Sequence, residues 1–434
     1  MLLDQRRTGL AGLFRSLRRG PMDGPHPEGS PPAGPASRVA HHAGIRHVFA
    51  TASSRPGESV RQGAVDALRA IETSFGRAGL DSEMIRIAAF VAAADDVAAC
   101  REAVRACYGG SPPVIDVVRQ PPADGAAVAL EAWAVAPDRI RPEIARFDGG
   151  TLAVRGGDLT AVHCSRVARG GAEVRAFDQG IEGFEALRAK LEGAGTDFAH
   201  VVRTWLYLGA ITGPDGETQR YKELNRARSE FFRTCTLRPL PSPRTAAGES
   251  PGPAYPASTG IGAEGDDLVL SALALTSRAG DLRVVPLENP RQTPAFDYAA
   301  CYSPQSPKFS RAMAVEHRGD AMILVSGTAS ITRSETRHLD DAAEQTRETL
   351  DNIEALVAGA NLARHGLPGL GATLEDLAVA RVYIKRPADC EAVRAACGDR
   401  LGLTPVTYTI ADVCRPDLLV EIEGIVFSRE GRDR

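Results

Sequence analysis

The chain repeats one pattern three times, and this limits what it can fold into more than any other feature. An amphipathic helical stretch, an apolar strand, a second helical stretch and a closing strand recur at 60–75, 85–91, 96–107 and 127–135, at 177–191, 201–208, 221–232 and 268–275, and at 343–356, 377–384, 388–397 and 418–427. In the first helical stretch of each copy, apolar residues recur at three- and four-residue spacing and the run ends near glycine or asparagine, as helices do. A unit of this kind folds as an α+β layer, a sheet with helices on one face. The pattern divides the chain into units at 44–140, 141–290 and 291–434, behind an N-terminal extension, 1–43, that reads as disordered and is rich in Pro, Gly and Ser from about 20 to 38.

The copies differ at their last strand. In the third copy it reads Leu418-Leu419-Val420-Glu421-Ile422-Glu423-Gly424-Ile425-Val426-Phe427, with two carboxylates two residues apart and therefore on one face. A solvated edge strand would also carry such a pair. Glu423 lines up with Glu131 and Ser271, but Glu421 lines up with Ala129 and Val269, so its carboxylate belongs to one copy alone. Packing needs shared by three copies do not explain it, which points to a specialised site.

Composition excludes several classes. A net charge of −4 over 434 residues and 5% aromatics give neither the footprint nor the stacking surface of a nucleic-acid binder. The eight cysteines are scattered without a CxxC pair and the nine histidines lack ligand spacing, so neither a disulfide framework nor a metal site is expected. Unpaired cysteines suit a reducing cytoplasm. There is no apolar run of membrane-spanning length and no secretory leader pattern. No organic cofactor motif is present.

The repeated unit resembles the RidA/YjgF family in its long helix, the strand after it and the closing Val420-Glu421-Ile422-Glu423-Gly424-Ile425 strand. That family forms trimers with ligand clefts between neighbouring units, so the resemblance implies an internal pseudo-trimer working as a monomer. RidA enzymes hydrolyse imines with an arginine placed just after the proline that opens the penultimate strand. This chain reads Pro113-Val114-Ile115, Pro256-Ala257-Ser258 and Pro405-Val406-Thr407 there, without the arginine fork that would clamp an amino-acid carboxylate.

A narrower resemblance, over the second and third units, is to the chorismatase family. It is carried by Tyr255-Pro256-Ala257-Ser258-Thr259-Gly260-Ile261-Gly262, Glu288-Asn289-Pro290-Arg291-Gln292, Ser306-Pro307-Lys308-Phe309-Ser310-Arg311-Ala312 and Ser326-Gly327-Thr328-Ala329-Ser330. It implies an enzyme that cleaves the small dianion chorismate to pyruvate and a ring product, with the family's catalytic glutamate on Glu421. Release of pyruvate needs a proton on the enol methylene carbon, work for a carboxylic acid with a raised pKa. Arg228, Arg291 and Arg311 are candidate clamps for the two carboxylates, and Tyr221 a candidate hydroxyl contact. Gly327 and Cys414 resemble the subtype that forms 3-hydroxybenzoate in a site closed to water. Each of these side chains also has an ordinary structural use. A hydrolase of another enamine or imine and a non-catalytic binder of an anionic metabolite are the alternatives.

Overall fold

The computed structural model describes residues 36–148, 150–171, 173–240, 252–299 and 305–431. The expectations for the first 35 residues, and Cys301, lie outside the described residues. The first unit comprises β1 (Ala36–His42), β2 (Ile45–Ser53), α1 (Val60–Arg77), β3 (Glu83–Val91), α2 (Ala94–Tyr108), β4 (Val114–Arg119) and β5 (Val128–Pro137), with sheet order β1-β2-β5-β3-β4. The second comprises β6 (Glu143–Arg146), β7 (Thr151–Gly156), β8 (Leu159–Ala168), α3 (Ala176–Gly193), β9 (Val201–Gly209), a small ribbon of β10 (Pro214–Asp215) and β11 (Thr218–Gln219), α4 (Arg220–Arg233), β12 (Ala257–Ala263) and β13 (Leu268–Ser277), with sheet order β12-β9-β13-β8-β7-β6. The third comprises β14 (Leu282–Leu287), β15 (Ala312–His317), β16 (Asp320–Ala329), a ribbon of β17 (Ile331–Thr332) and β18 (Glu335–Thr336), α5 (Ala342–Val357), α6 (Gly359–Arg364), β19 (Leu377–Ile384), α7 (Cys390–Leu401), β20 (Val406–Ile410) and β21 (Val420–Arg429), in the order β14-β15-β16-β21-β19-β20. No helix of the described residues is long and apolar enough to cross a membrane.

Two boundaries differ from expectation. Residues 36–42, placed in the disordered extension, form β1, which pairs antiparallel with β2 along its whole length. The Arg38 guanidinium ties it to the third unit through the Leu377 carbonyl, 2.9 Å, and the Thr404 hydroxyl, 3.2 Å. β14, expected to belong to the second unit, is the edge strand of the third sheet, paired with β15. Its Val285 and Leu287 pack in the core beneath α5, a partner far ahead in the chain.

Each sheet is covered on both faces, which is why its central strands read as unbroken apolar runs. In β5, Val128, Leu130, Ala132, Ala134 and Ala136 pack toward α1 and α2, while Ala129, Trp133 and Val135 point the other way. The helix side follows from α1, where the Ser59 side chain caps the first turn by accepting from the Gln62 N–H and Ala64, Leu68, Ile71 and Phe75 form the buried stripe. The opposite faces of all three sheets meet in one shared inner core, to which Phe49, Phe90, Trp205, Leu273, Leu324, Tyr383 and Phe427 contribute.

Paired charges lie within that core. Arg86 of β3 meets Asp116 of β4 at 2.5 Å, and Asp116 also accepts from the hydroxyls of Ser271, at 2.8 Å, and Ser165. Arg381 of β19 grips Glu131 of β5 through two hydrogen bonds of 2.7 and 2.6 Å. Arg203 of β9 meets Glu423 of β21 at 2.5 Å. The Arg86–Asp116 pair lies within the first unit, whereas the serine contacts of Asp116 and the Arg381–Glu131 and Arg203–Glu423 pairs cross to a neighbour, and the Arg86 guanidinium also stacks 4.0 Å over Trp205 of the second sheet.

Another part of the inner core holds two buried histidines, His42 and His163, and the half-buried His47 around an apolar cavity lined by Ile85, Trp133, Leu273 and Met322. The His42 Nε2–H donates to the Val315 carbonyl at 3.0 Å, and His47 Nδ1 accepts from the Trp133 indole at 3.2 Å. Neither ring nitrogen of His163 has a partner among the described residues. Burial, first of all, lowers His42 to about 4 and His47 and His163 to about 3. All three are therefore neutral when folded but protonate near 6.5 when unfolded. Their contribution to stability is complete above pH 6.5 and is lost as the pH falls toward 4 and 3, at about 1.4 kcal/mol per pH unit each. His163→Leu, which sacrifices no hydrogen bond, should lose less melting temperature between pH 7 and pH 5 than the parent chain; equal losses in calorimetry would contradict this.

Candidate active site

Strand parity places the two carboxylates of β21. Val420, Ile422 and Val426 pack toward the helices and Ile425 and Phe427 toward the inner core, so Glu421 and Glu423 share the inner side. The corresponding residues of the first two units, Ala129 and Val269, are apolar members of the inner core. The two glutamates then meet very different surroundings.

Glu423 is saturated with donors. It accepts from Arg203 at 2.5 Å, Arg381 at 3.0 Å, the Trp205 indole at 3.1 Å, the Tyr383 hydroxyl at 3.1 Å, and the Thr259 hydroxyl. Burial alone would raise its pKa; the guanidinium groups of Arg203 and Arg381 outweigh it and hold the carboxyl below its usual range. Glu421 is 5% exposed. It is pushed up to about 8, first by burial and then by the negative charge of Glu423, against the pull of Arg203 and Arg311. Two carboxyls two residues apart are thus held in opposite protonation states at neutral pH.

A β-bulge makes room for the protonated one. Val325 of β16 pairs with Gly424 and Thr328 with Ile422, so that Ser326 and Gly327 together oppose Glu423. A Cβ on Gly327 would stand 2.1 Å from Glu421 Oε1 and 2.9 Å from its Cδ, with Thr259 Cγ2 at 3.2 Å. The expected crowding at Gly327 therefore falls on the acid itself before any bound ring.

Glu421 lines a cavity at the boundary of the second and third units. From α4 come Tyr221, Asn225 and Arg228, spaced four and three residues apart and hence on one stripe of the helix. From the third unit come Arg311, just before β15, with Gly327 and Cys414. Arg228 is buried and donates to the Asn225 side-chain carbonyl at 2.6 Å and the Ser258 hydroxyl at 3.4 Å. Arg311, also buried, donates to the Thr293 carbonyl at 2.9 Å and the Tyr298 hydroxyl at 2.5 Å. Among the described residues neither pairs with a carboxylate, and the Nε–H of each lacks a partner. Two desolvated guanidinium groups without counter-ions make a site for two negative charges. The Cys414 thiol is pushed up to about 12 by burial and then by Glu421, and burial raises the Tyr221 phenol, so both are neutral. Gly260 lets Tyr221 approach β12, since a Cβ there would lie 2.9 Å from its ring.

Arg291 does not join this group. Its fork takes Glu348 of α5 through bonds of 2.9 and 3.0 Å and lies 3.7 Å from Asp351, so its charge is already satisfied away from the cavity. Reading the sequence missed Asn225, Ser258, Tyr298, Phe309 and Arg415 as lining residues. Helical spacing from Arg228 and Tyr221 would have found Asn225; Tyr298 comes to the cavity only through the path of a long connection. No group of His, Cys, Asp and Glu among the described residues could hold a metal ion.

No family model matches the chain. It is 37% identical over 237 residues to a 3-hydroxybenzoate synthase of Streptomyces hygroscopicus, an alignment covering 53% of this chain and 64% of the relative, short of two thirds of that protein's length. It is 32% identical over 304 residues to a chorismatase of Streptomyces rapamycinicus, covering 68% of this chain and 76% of the relative. A crystal structure of a chorismatase superposes with a TM-score of 0.64 at 23% identity, over 87% of this chain and 98% of that one, a likeness of fold.

Gly327→Ala should cost about 1–3 kcal/mol of stability by overpacking. In a Glu421→Ala background most of that cost should vanish, because the atom it strikes is gone. Denaturant titration of the four proteins checks this, and equal costs in both backgrounds would contradict the contact.

Proposed function

The chain belongs to the chorismatase family, and on that premise we propose that it converts chorismate to pyruvate and 3-hydroxybenzoate. One observation carries the reading: a neutral buried carboxyl, Glu421, shares a cavity with two buried guanidinium groups, Arg228 and Arg311, that have no carboxylate partner among the described residues. The guanidinium groups hold the substrate's two carboxylates, with the Tyr221 hydroxyl as a further contact.

The Glu421 proton goes to the enol methylene carbon. The electrons of the carbon–carbon double bond form the new C–H bond, and the ether carbon becomes an electrophile stabilised by its oxygen. Pyruvate and 3-hydroxybenzoate together contain all the atoms of chorismate, so no water is consumed. The ring's own hydroxyl oxygen then attacks the adjacent carbon that bears the ether, the bond between that carbon and the ether oxygen breaks with its electrons going to the oxygen, and pyruvate leaves. The hydroxyl proton lost on closing this epoxide is regained on its oxygen when it opens, and the proton given to the methylene is recovered when the ring loses one on becoming aromatic. Such a course needs a site that keeps water from the cation. Gly327 lets the acid sit tight against the bulge, and the neutral Cys414 thiol fills one side as a small apolar group.

The three units compose an internal pseudo-trimer that works as a monomer in the cytoplasm, its site at one of the unit boundaries. The shared inner core and the absence of a cysteine pair among the described residues support this reading. The strands after Pro113, Pro256 and Pro405 carry no arginine at their start, which disfavours the imine hydrolase.

Purified protein given chorismate should release pyruvate, with 3-hydroxybenzoate as the ring product by chromatography. Glu421→Gln should fold and lose roughly 10²–10⁴ in kcat. Because the acid must be protonated, wild-type activity should hold on the acid side and fall as the pH rises through about 8. A folded Glu421→Gln protein with full turnover, or a dihydrodiol as the sole ring product, would overturn the assignment.

A further inference from the structure

Glu421 does not stand alone on its face of β21. Glu423 is its neighbour on that side, and the question is what a second buried carboxylate does beside an acid that has to stay protonated. The charges of the inner core can be counted from their contacts. Arg86 pairs with Asp116, Arg381 with Glu131, and Arg203 with Glu423, while Arg381 also reaches Glu423 at 3.0 Å. Three cations meet three anions, so Arg203 acts on Glu421 only as a cation already paired with Glu423; the other charged or titratable side chains facing Glu421 include Arg311, Arg228, Tyr221 and Cys414 of the cavity. Glu423 is also held in place, since its five donors come from three strands, Arg203 and Trp205 of β9, Thr259 of β12, and Arg381 and Tyr383 of β19.

We propose that Glu423 is a positioning residue for the reaction: a permanently charged carboxylate, fixed by Arg203 and Arg381, that keeps Glu421 in its acid form and so sets the upper pH at which the enzyme works. It touches neither substrate nor reacting atoms and acts through Glu421 alone. The inference rests on the proton-donor role given to Glu421 above. Glu131, at the equivalent position of the first unit, is anchored by Arg381 in the same way with Ala129 two residues before it, so anchoring is common to both units and only the third sets a second carboxyl beside the anchor on the same face of the strand. A purely structural anchor would not make the neutral and charged forms of the side chain differ in their effect on the pH profile.

The test is the pH dependence of kcat/KM for pyruvate release from chorismate by the whole chain. In Glu423→Gln the alkaline limb should move down by about one unit, so that activity at pH 8 falls roughly fivefold relative to wild type while activity at pH 6 changes little. KM at pH 6 should be unchanged, because the guanidinium clamps are intact. Glu423→Asp, which restores the charge, should return the limb toward its wild-type position. Removing a buried partner of two arginines endangers folding, so Tyr383→Phe and Trp205→Phe provide a second route. Each takes one donor from Glu423, leaves its charge less neutralised, and should move the limb upward. A limb that stays in place in folded Glu423→Gln, or in both donor variants, overturns the proposal. Wild-type protein that releases no pyruvate overturns the underlying reading instead.

Discussion

A neutral set of buried ion pairs sits where the three sheets meet, and both the fold and the site depend on it. Charges in a core are tolerated only when each is paired and hydrogen-bonded, and removing one partner typically costs about 3–5 kcal/mol. Two of the three pairs run between units. Arg381 of the third sheet grips Glu131 of the first, and Arg203 of the second grips Glu423 of the third. Where the second unit has Ser271 in place of a glutamate, Asp116 of the first supplies the carboxylate and Ser271 bonds to it. These contacts orient the sheets as well as hold them, because a guanidinium fork accepts a carboxylate in few geometries.

The site arises from a departure from that balance. The third unit adds one more carboxyl, Glu421, at a position that is alanine and valine in its sisters. Burial opposes its ionisation and Glu423 opposes it further, against the pull of Arg203, which is already paired with Glu423, and of Arg311 across the cavity. Across the cavity the imbalance has the opposite sign, with Arg228 and Arg311 buried and lacking carboxylates among the described residues. In the proposed reaction a dianion supplies the missing negative charge and meets a proton donor on the far wall. Binding and acid catalysis thus draw on the same uneven distribution of charge.

Much of this was legible in the sequence, for identifiable reasons. Helical spacing in α1, α3 and α5 and the apolar runs of β3, β9 and β19 announced three similar units, because each unit buries both sheet faces. Comparing closing strands singled out Glu421 as a solitary carboxylate. The surroundings of Glu423 were not visible, since its five donors come from strands distant in the chain. Arg291 misled because a motif shows residue type and not partner, and Glu348 of α5 had already claimed it. The edge strands β1 and β14 were misplaced because their partners are fixed by packing at long range.

The central claim is that Glu421 carries a proton at neutral pH. Infrared difference spectra of wild type against Glu421→Gln, recorded across a pH titration, read that proton directly as the carbonyl band of a protonated carboxylic acid. The account predicts a band present at pH 7 that disappears with a midpoint near 8. A Glu421 already ionised at pH 6, with no such band, would contradict it.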